Sequence, residues 1–433
     1  MSTAAHRVEV ACAEQVGQVP ACGTMVVGDD VKASLTSTEL MAWITACDAL
    51  GGLVLDETEA IDADELLPHI ATAAPDLHSL SLSWCSSWVT SDALTAGIAA
   101  LTRLVELNVS VVRAIDDALL AKLPVIAPGL KVLNVGGCPS VTMVGIASVV
   151  VGCPALEELV WGDEDDPDDA PKLVAVAKLL ACAQSEWAAV DLSQTELLTD
   201  AALGVILAHN GLAAGVKDLV LRGCVSPQLT GAPLLGHLSM PQLDVFDAGD
   251  VGLQSAALVA VISAAPALTE LHLDACLGAT DDVLAAVIAG CSHLTSLSLA
   301  HCASLTPPAL AMLGALTSLT ELDISHTAAD DAVLAALAPL TELRALYASC
   351  CTSITSAGLA SLHVSVLDVS GCPGIERVPP RPTLSVLDIG GTSIDSLDRL
   401  AGISADSLLV VVTPPANRTD SLFDDPAPAS ALA

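Results

Sequence analysis

Cys291 to Thr306 reads Cys-Ser-His-Leu-Thr-Ser-Leu-Ser-Leu-Ala-His-Cys-Ala-Ser-Leu-Thr, and its core is Leu-x-x-Leu-x-Leu-x-x-Cys, set by Leu294, Leu297, Leu299 and Cys302. The skeleton recurs at Leu77 to Cys85, Leu130 to Cys138, Val216 to Cys224, Leu268 to Cys276, Leu343 to Cys351 and Val364 to Cys372. Self-similarity at this period marks a solenoid, in which each repeat buries its apolar face only against its neighbours. The functional question then shifts from what a pocket catalyses to what an open surface binds.

Taking the first apolar residue of each strand as origin gives Leu50, Leu77, Leu104, Leu130, Leu156, Trp187, Val216, Leu243, Leu268, Leu294, Leu319, Leu343, Val364, Leu384 and Leu408. Cys22 to Val27 reads as a degenerate unit ahead of them, and Leu408 to Thr413 as a closing strand. The first half of each unit alternates apolar and polar residues, which is strand periodicity. The second half has the start signals of a short helix. Thr199-Asp200, Thr280-Asp281 and Thr306-Pro307 each precede an apolar run, and Thr36/Glu39 and Asp62/Glu65 have capping-box spacing. Spacings of 21 and 20 residues after Leu343 and Val364, with Val378-Pro-Pro-Arg-Pro382 in the second, leave little room for a helix. The expected fold is α/β: a right-handed horseshoe with parallel strands inside and helices outside. Its expected domains are an N-terminal segment 1–21, a solenoid of about 15–16 units over 22–413, and a disordered tail 414–433.

The pattern Cys-x-x-Leu-x-x-Leu-x-Leu-x-x-Cys-x-x-Leu-Thr at Cys291 to Thr306 resembles the cysteine-containing leucine-rich repeats of F-box/leucine-rich-repeat proteins. The resemblance implies a protein-binding arc, and in that family the arc commonly selects substrates for a cullin-type ubiquitin ligase. The first 49 residues carry no recognisable F-box, and Trp43 is a poor substitute for the tryptophan of that motif. The safest carry-over is protein binding. The alternatives are a scaffold or GTPase/signalling regulator, and, from another class, a metal-binding protein or enzyme.

Fifteen basic against 51 acidic residues give a net charge of −36, which disfavours nucleic acid and anionic membrane surfaces and suits a basic protein partner. The start of the chain lacks the charged-then-apolar order of a signal peptide, and the uncharged stretches contain Gln, Ser and Pro. A cytoplasmic or nuclear monomer is the expectation, with Asn108-Val-Ser and Asn417-Arg-Thr as chance matches to the glycosylation pattern. Seven of the 14 cysteines lie eight residues after an origin, where Thr58, Thr195, Thr327 and Thr392 stand in other units. A slot that takes Cys or Thr asks for a small side chain with a weak hydrogen bond to loop backbone, so reduced structural thiols are expected.

Strand alternation puts offsets two, four, six and seven on the inner, concave face. Many of these are acidic, and the candidate partner-binding residues are Glu106, Asp218, Asp247, Glu270, Asp274, Glu321, Asp323 and Asp368, with Trp84 and Tyr347 as large anchors. Arg222 is the basic exception. Trp88 follows Trp84 in the loop, while Trp161 and Trp187 fall in strand core slots. A wall of one sign attracts a cation-rich partner in a salt-sensitive way.

His301, His326 and Cys350 share the seventh offset in successive units, a column that could hold a transition metal, although no motif supports it. The acidic insertion 163–169 lacks the glycine and terminal glutamate of an EF-hand and reads as a solvated loop, with weak calcium binding as the alternative. No phosphate loop, nucleophile elbow or His-Glu-x-x-His is present, so no catalysis and no cofactor are expected.

Overall fold

A computed structural model describes residues 7–10, 23–47, 49–59, 61–86, 89–162, 167–184, 187–208, 212–236, 239–379, 384–394 and 409–411. Trp88, residues 163–166 of the acidic insertion and the tail 414–433 therefore lie outside the described residues, as do 1–6 and 11–21 of the N-terminal segment.

The strand halves form short parallel strands, as the alternation requires. In order they are β1 (Arg7–Val10), β2 (Thr24–Val27), β3 (Gly52–Val54), β4 (Ser79–Ser81), β5 (Glu106–Asn108), β6 (Val132–Asn134) and β7 (Glu158–Val160). These make one seven-stranded parallel sheet in sequence order. A ten-stranded parallel sheet follows: β8 (Ala189–Asp191), β9 (Asp218–Val220), β10 (Val245–Asp247), β11 (Glu270–His272), β12 (Ser296–Ser298), β13 (Glu321–Asp323), β14 (Ala345–Tyr347), β15 (Val366–Asp368), β16 (Val386–Asp388) and β17 (Leu409–Val411). The chain divides into two compact units, residues 1–187 with 195–212, and 188–194 with 213–433. Sequence alone predicts one ladder. The ladder ends instead in the longest repeat, between Leu156 and Trp187, which carries the 15-residue helix Ala170–Gln184.

Registers match equivalent positions from β2 to β7 and from β8 to β16, so Leu271 pairs with Leu297, and Leu297 with Leu322. Offsets three and five form buried columns such as Leu271/Leu297/Leu322 and Leu273/Leu299/Ile324, each side chain worth about 1.5–3 kcal/mol of burial. One unit swaps sizes. Phe246, fully buried, takes the third offset, and Ala248 takes the fifth, where neighbours have Leu221 and Leu273. A volume-conserving exchange of this kind keeps the layer filled.

Two expectations need correction. The closing strand lies within Leu408 to Thr413, but its phase is one residue off: Val386 pairs with Leu409, where an origin at Leu408 requires Val410. Leu408 to Val412 is an unbroken apolar run, so alternation carried no phase. Trp187 is not a core residue; it is half-buried, with a left-handed backbone (φ 60°) just ahead of β8, whereas Trp161 is buried as expected. In addition, β1 pairs with β2, which carries the ladder into the segment ahead of Cys22.

Helices or single 3-10 turns follow most strands. Thr36 and Glu39 form the full capping box at Ser37–Thr45, and Thr199 caps Asp200–Ala208 by accepting from Ala202 N. Thr306 and Thr280 do not cap their own helices. Thr306 instead donates from N and Oγ1 (2.9 and 2.7 Å) to the two carboxylate oxygens of Asp281, in the first helical turn of the preceding unit. Thr142 clasps Asp117 and Thr355 clasps Asp331 in the same way. The clasp needs space, because a Cβ on Gly145 or Gly358 would collide with Asp117 or Asp331. In the short late units, only the 3-10 turn Gly358–Ser361 follows β14, and among the described residues no helix lies between β15 and β16.

Candidate functional site

The ladder face opposite the helices carries the residues at offsets two, four, six and seven. Its chemistry starts from the backbone. The N–H groups at offsets five and seven donate to the next strand: Leu221 to Asp247 O (2.7 Å), and Gly223 to Gly249 O (2.9 Å). The N–H at offset six, between them, points the other way along the sheet and needs its own acceptor. A side chain at offset four supplies it within the same unit. Ser110 N donates to Asn108, Gly136 N to Asn134, Ser193 N to Asp191 and Gly249 N to Asp247. Ser325 N donates to Asp323, Ser370 N to Asp368 and Gly390 N to Asp388, at 2.8–2.9 Å. In two units where offset four lacks Asp or Asn, the preceding unit supplies the acceptor: Ser83 N reaches Asp56 Oδ1 (2.9 Å) and Ser349 N reaches Ser325 Oγ (3.1 Å).

The chain then turns. Offset seven is left-handed in nearly every described unit: Glu57, Trp84, Val111, Gly137, Gln194, Gly223, Asp250, Ala275, His301, His326, Cys350, Gly371 and Gly391 have φ between 51° and 71°. This conformation costs an ordinary L-residue about 1–2 kcal/mol and glycine almost nothing. Its recurrence follows from the architecture rather than from the residue. At offset eight the cysteine reaches back: Cys85, Cys138, Cys224, Cys302, Cys351 and Cys372 donate S–H to the offset-five carbonyl of the preceding unit at 3.0–3.2 Å. Thr58, Thr327 and Thr392 use the same slot but bond the carbonyl of their own unit. Cys85, Cys138, Cys276, Cys302, Cys351 and Cys372 in this slot are free thiols, and burial pushes those of Cys302 and Cys372 up to about 12.

The candidate acidic residues therefore separate into two groups. Asp247, Asp323 and Asp368 hold turns. Asp247 and Asp274 also hold Arg222, whose Nε donates to Asp247 Oδ2 (2.8 Å) and whose Nη2 donates to Asp274 Oδ2. Asp274 also accepts from the Ser298 hydroxyl. The guanidinium crosses over Gly249, where a Cβ would lie 2.6 Å from Arg222 Cζ. Burial opposes the charge on Arg222, but the hydrogen bonds and charges of the two aspartates outweigh it and raise its pKa. Asp323, 3% exposed, is pushed up to about 7 by burial, with the hydrogen bonds from Ser325 acting against the shift and the charges of Asp274 and Asp368 adding to it.

Glu106, Asp218, Glu270 and Glu321 occupy offset two, on the free face, and are exposed or half-buried. In the second unit they stand on every other strand, because Asp218 pairs with Val245, Val245 with Glu270, Glu270 with Ser296, and Ser296 with Glu321. Two strand spacings separate successive carboxylates by about 9.6 Å. Tyr347 is half-buried, and its hydroxyl is hydrogen-bonded with Glu321. Burial first, then the charges of Glu321, Asp323 and Asp368, push its pKa up to about 12. Burial also raises the pKa of Glu321, against the opposing effects of His272 and Tyr347. Trp84 is 63% exposed.

His301 and His326 do meet, with ring centroids 4.0 Å apart and planes at 15°. Stacked rings send their nitrogen lone pairs out in parallel planes rather than to one point. Burial and the charge of His301 lower the pKa of His326. Among the described residues, no group of three or more His, Cys, Asp and Glu is placed to hold a metal ion. No described helix is long and apolar enough to cross a membrane.

Residues 290–314, the stretch that decides the fold in sequence, match the Leucine Rich repeat family. The strand and turn of that matched repeat recur in register through each unit. Solved structures similar to the chain include Rad7 in complex with Elc1 from yeast, at 16% identity, covering 88% of this chain and 84% of that one, with a TM-score of 0.30. The internalin InlF of Listeria monocytogenes is 14% identical, with 87% and 89% covered and a TM-score of 0.37. The leucine-rich-repeat protein LegL7 of Legionella pneumophila is 16% identical, with 73% and 89% covered and a TM-score of 0.26. No curated protein matches the sequence.

What sequence reasoning missed was the role of the turn acceptors, since it assigns Asp247, Asp323 and Asp368 to partner contact and they instead hold turns. Their signal was present: Asp or Asn two residues before Ser or Gly, as in Asn134-Val-Gly136, Asp247-Ala-Gly249, Asp323-Ile-Ser325 and Asp388-Ile-Gly390. Asn108-Val-Ser110 belongs to this set, which accounts for its likeness to a glycosylation site.

Proposed function

We propose that this protein is a non-catalytic protein-binding module that takes a basic partner on the ladder face of its leucine-rich repeats. The observation that carries the reading is the offset-two column. Glu106, Asp218, Glu270 and Glu321 stand at offset two on the ladder face, exposed or half-buried, and the turns that follow Glu106 and Glu321 are already held by Asn108 and Asp323. In the second unit Asp218, Glu270, Glu321 and Tyr347 are the contact residues, and in the first unit Glu106 and Trp84 are; Asp247, Asp274, Asp323 and Asp368 keep the second unit's face in shape. The net charge of −36 supports a cationic partner over nucleic acid. The free thiols of the repeat slot, such as Cys85, Cys138, Cys302 and Cys372, support a reducing compartment, cytoplasm or nucleus. The protein works as a monomer.

The test is carbodiimide coupling in lysate of the source cells, which joins carboxylates to lysine amines in direct contact. Crosslinks from one partner should fall on Glu106, Asp218, Glu270 or Glu321. Crosslinks confined to helix-side acids such as Asp92 and Asp282 would overturn the reading. Cullin-adaptor subunits in the same crosslinked material would make the module a substrate receptor of a ubiquitin ligase, and their absence would leave it a scaffold.

A further inference from the structure

Trp84 is the most demanding residue on the ladder face. Its backbone is left-handed (φ 62°), a conformation the equivalent units fill without strain by Gly137, Gly223, Gly371 and Gly391. A bulky side chain there carries a conformational cost, and 63% exposure means that the indole recovers little of it by packing within the chain. Its surroundings have a definite chemistry. The preceding strand places Asp56 and Glu57 alongside: Asp56 Oδ1 accepts from Ser83 N (2.9 Å) and Ser81 Oγ (2.6 Å), and Glu57 N donates to Ser83 O (2.9 Å). The following strand places Val111 on the other side, since Trp84 N donates to Ser110 O (3.0 Å). Adjacent strands lie about 4.8 Å apart. Lys32 approaches Glu57 at 3.4 Å but is held closer, at 2.7 Å, by Asp29.

An exposed indole with carboxylates one strand away fits a planar cation. We infer that Trp84, Asp56 and Glu57 form an arginine-binding site, in which a guanidinium of the partner stacks on the indole and bonds the neighbouring carboxylates. The stacking and the forked donors favour arginine over lysine, whose ammonium is a compact, strongly hydrated point charge. This inference rests on the ladder-face reading and names the chemistry of one contact within it.

The experiment uses the full chain and two fluorescein-labelled peptides of equal length, repeats of Gly-Ser-Arg and of Gly-Ser-Lys, with affinity read by fluorescence anisotropy. The wild type should bind the arginine peptide about fivefold more tightly than the lysine peptide. Trp84→Gly should abolish that preference while leaving the melting temperature unchanged or raised, because glycine suits the backbone there. Trp84→Leu, which keeps the backbone strain but removes the aromatic face, should lose the preference as well. A wild type with no preference for arginine, or a Trp84→Gly variant that keeps it, would overturn the site. Either result would leave crosslinks at Glu270 and Glu321 standing, so the wider reading fails or survives separately.

Discussion

Gly249→Ala should destabilise the second unit by breaking an ion triad it does not belong to. Arg222 reaches Asp274 only by passing over Gly249, and a Cβ there would lie 2.6 Å from Arg222 Cζ and Nη1. The guanidinium would have to shift from the position in which it reaches both aspartates. Asp274, with 7% side-chain exposure, would keep the Ser298 hydroxyl, and Asp247, at 13%, would keep Gly249 N–H. Removing one partner from a fully buried pair costs about 3–5 kcal/mol. Arg222 is 21% exposed, so water reaches the triad and about 2–3 kcal/mol is the better figure. The φ of Gly249 is not left-handed, so alanine is compatible with the backbone and returns about 0.4–1 kcal/mol through the unfolded chain. The net loss should be about 2 kcal/mol, read by urea denaturation of the full chain with circular dichroism. In an Arg222→Ala background the sign should reverse, with Gly249→Ala stabilising by about 0.5 kcal/mol. A neutral or stabilising effect of Gly249→Ala in the wild type would refute the reasoning.

Asp323→Asn keeps the oxygen that accepts from Ser325 N and removes a carboxyl pushed from 3.8 up to about 7. The raised folded-state pKa means the folded state holds the proton longer than the unfolded state, so this group lowers stability as pH rises from about 4 to 7, by up to about 4 kcal/mol. The Asn variant should lack that slope in denaturation curves taken across this range; an unchanged slope would contradict the burial of Asp323. Gly145→Ala and Gly358→Ala should each cost about 1–2 kcal/mol in denaturant midpoint by pushing Asp117 or Asp331 off its threonine clasp. Alkylation of the native protein, mapped by mass spectrometry, should modify the half-buried Cys47 and Cys350 well before Cys302 and Cys372. Equal rates would mean that the cysteine column opens.

The period, the strand phase and the cysteine slot were legible because each is a local pattern repeated many times, so Leu297 and Cys302 announce their roles through Leu271 and Cys276. Phase was lost where alternation stopped, in the apolar run at Leu408 to Val412. The division of the ladder was also hidden, since the sequence shows the long repeat after Leu156 but not the loss of pairing there. The acidic face was half legible. Alternation placed Asp323 and Glu321 on the same side, but only the backbone shows that Asp323 answers an N–H two residues ahead while Glu321 answers none. Arg222 looked like an exception to an acidic wall and is instead the cation that neutralises part of it.

The most direct test of the protein-binding account compares two charge-matched triple variants by proximity labelling in the source cell. One neutralises the ladder face, with Glu106→Gln, Glu270→Gln and Glu321→Gln. The other neutralises acids elsewhere on the repeats, with Asp92→Asn, Asp282→Asn and Glu342→Gln. The account predicts that a defined set of partners is lost with the first variant and kept with the second. Identical partner lists for the wild type and both variants, or the same losses from both, would contradict it.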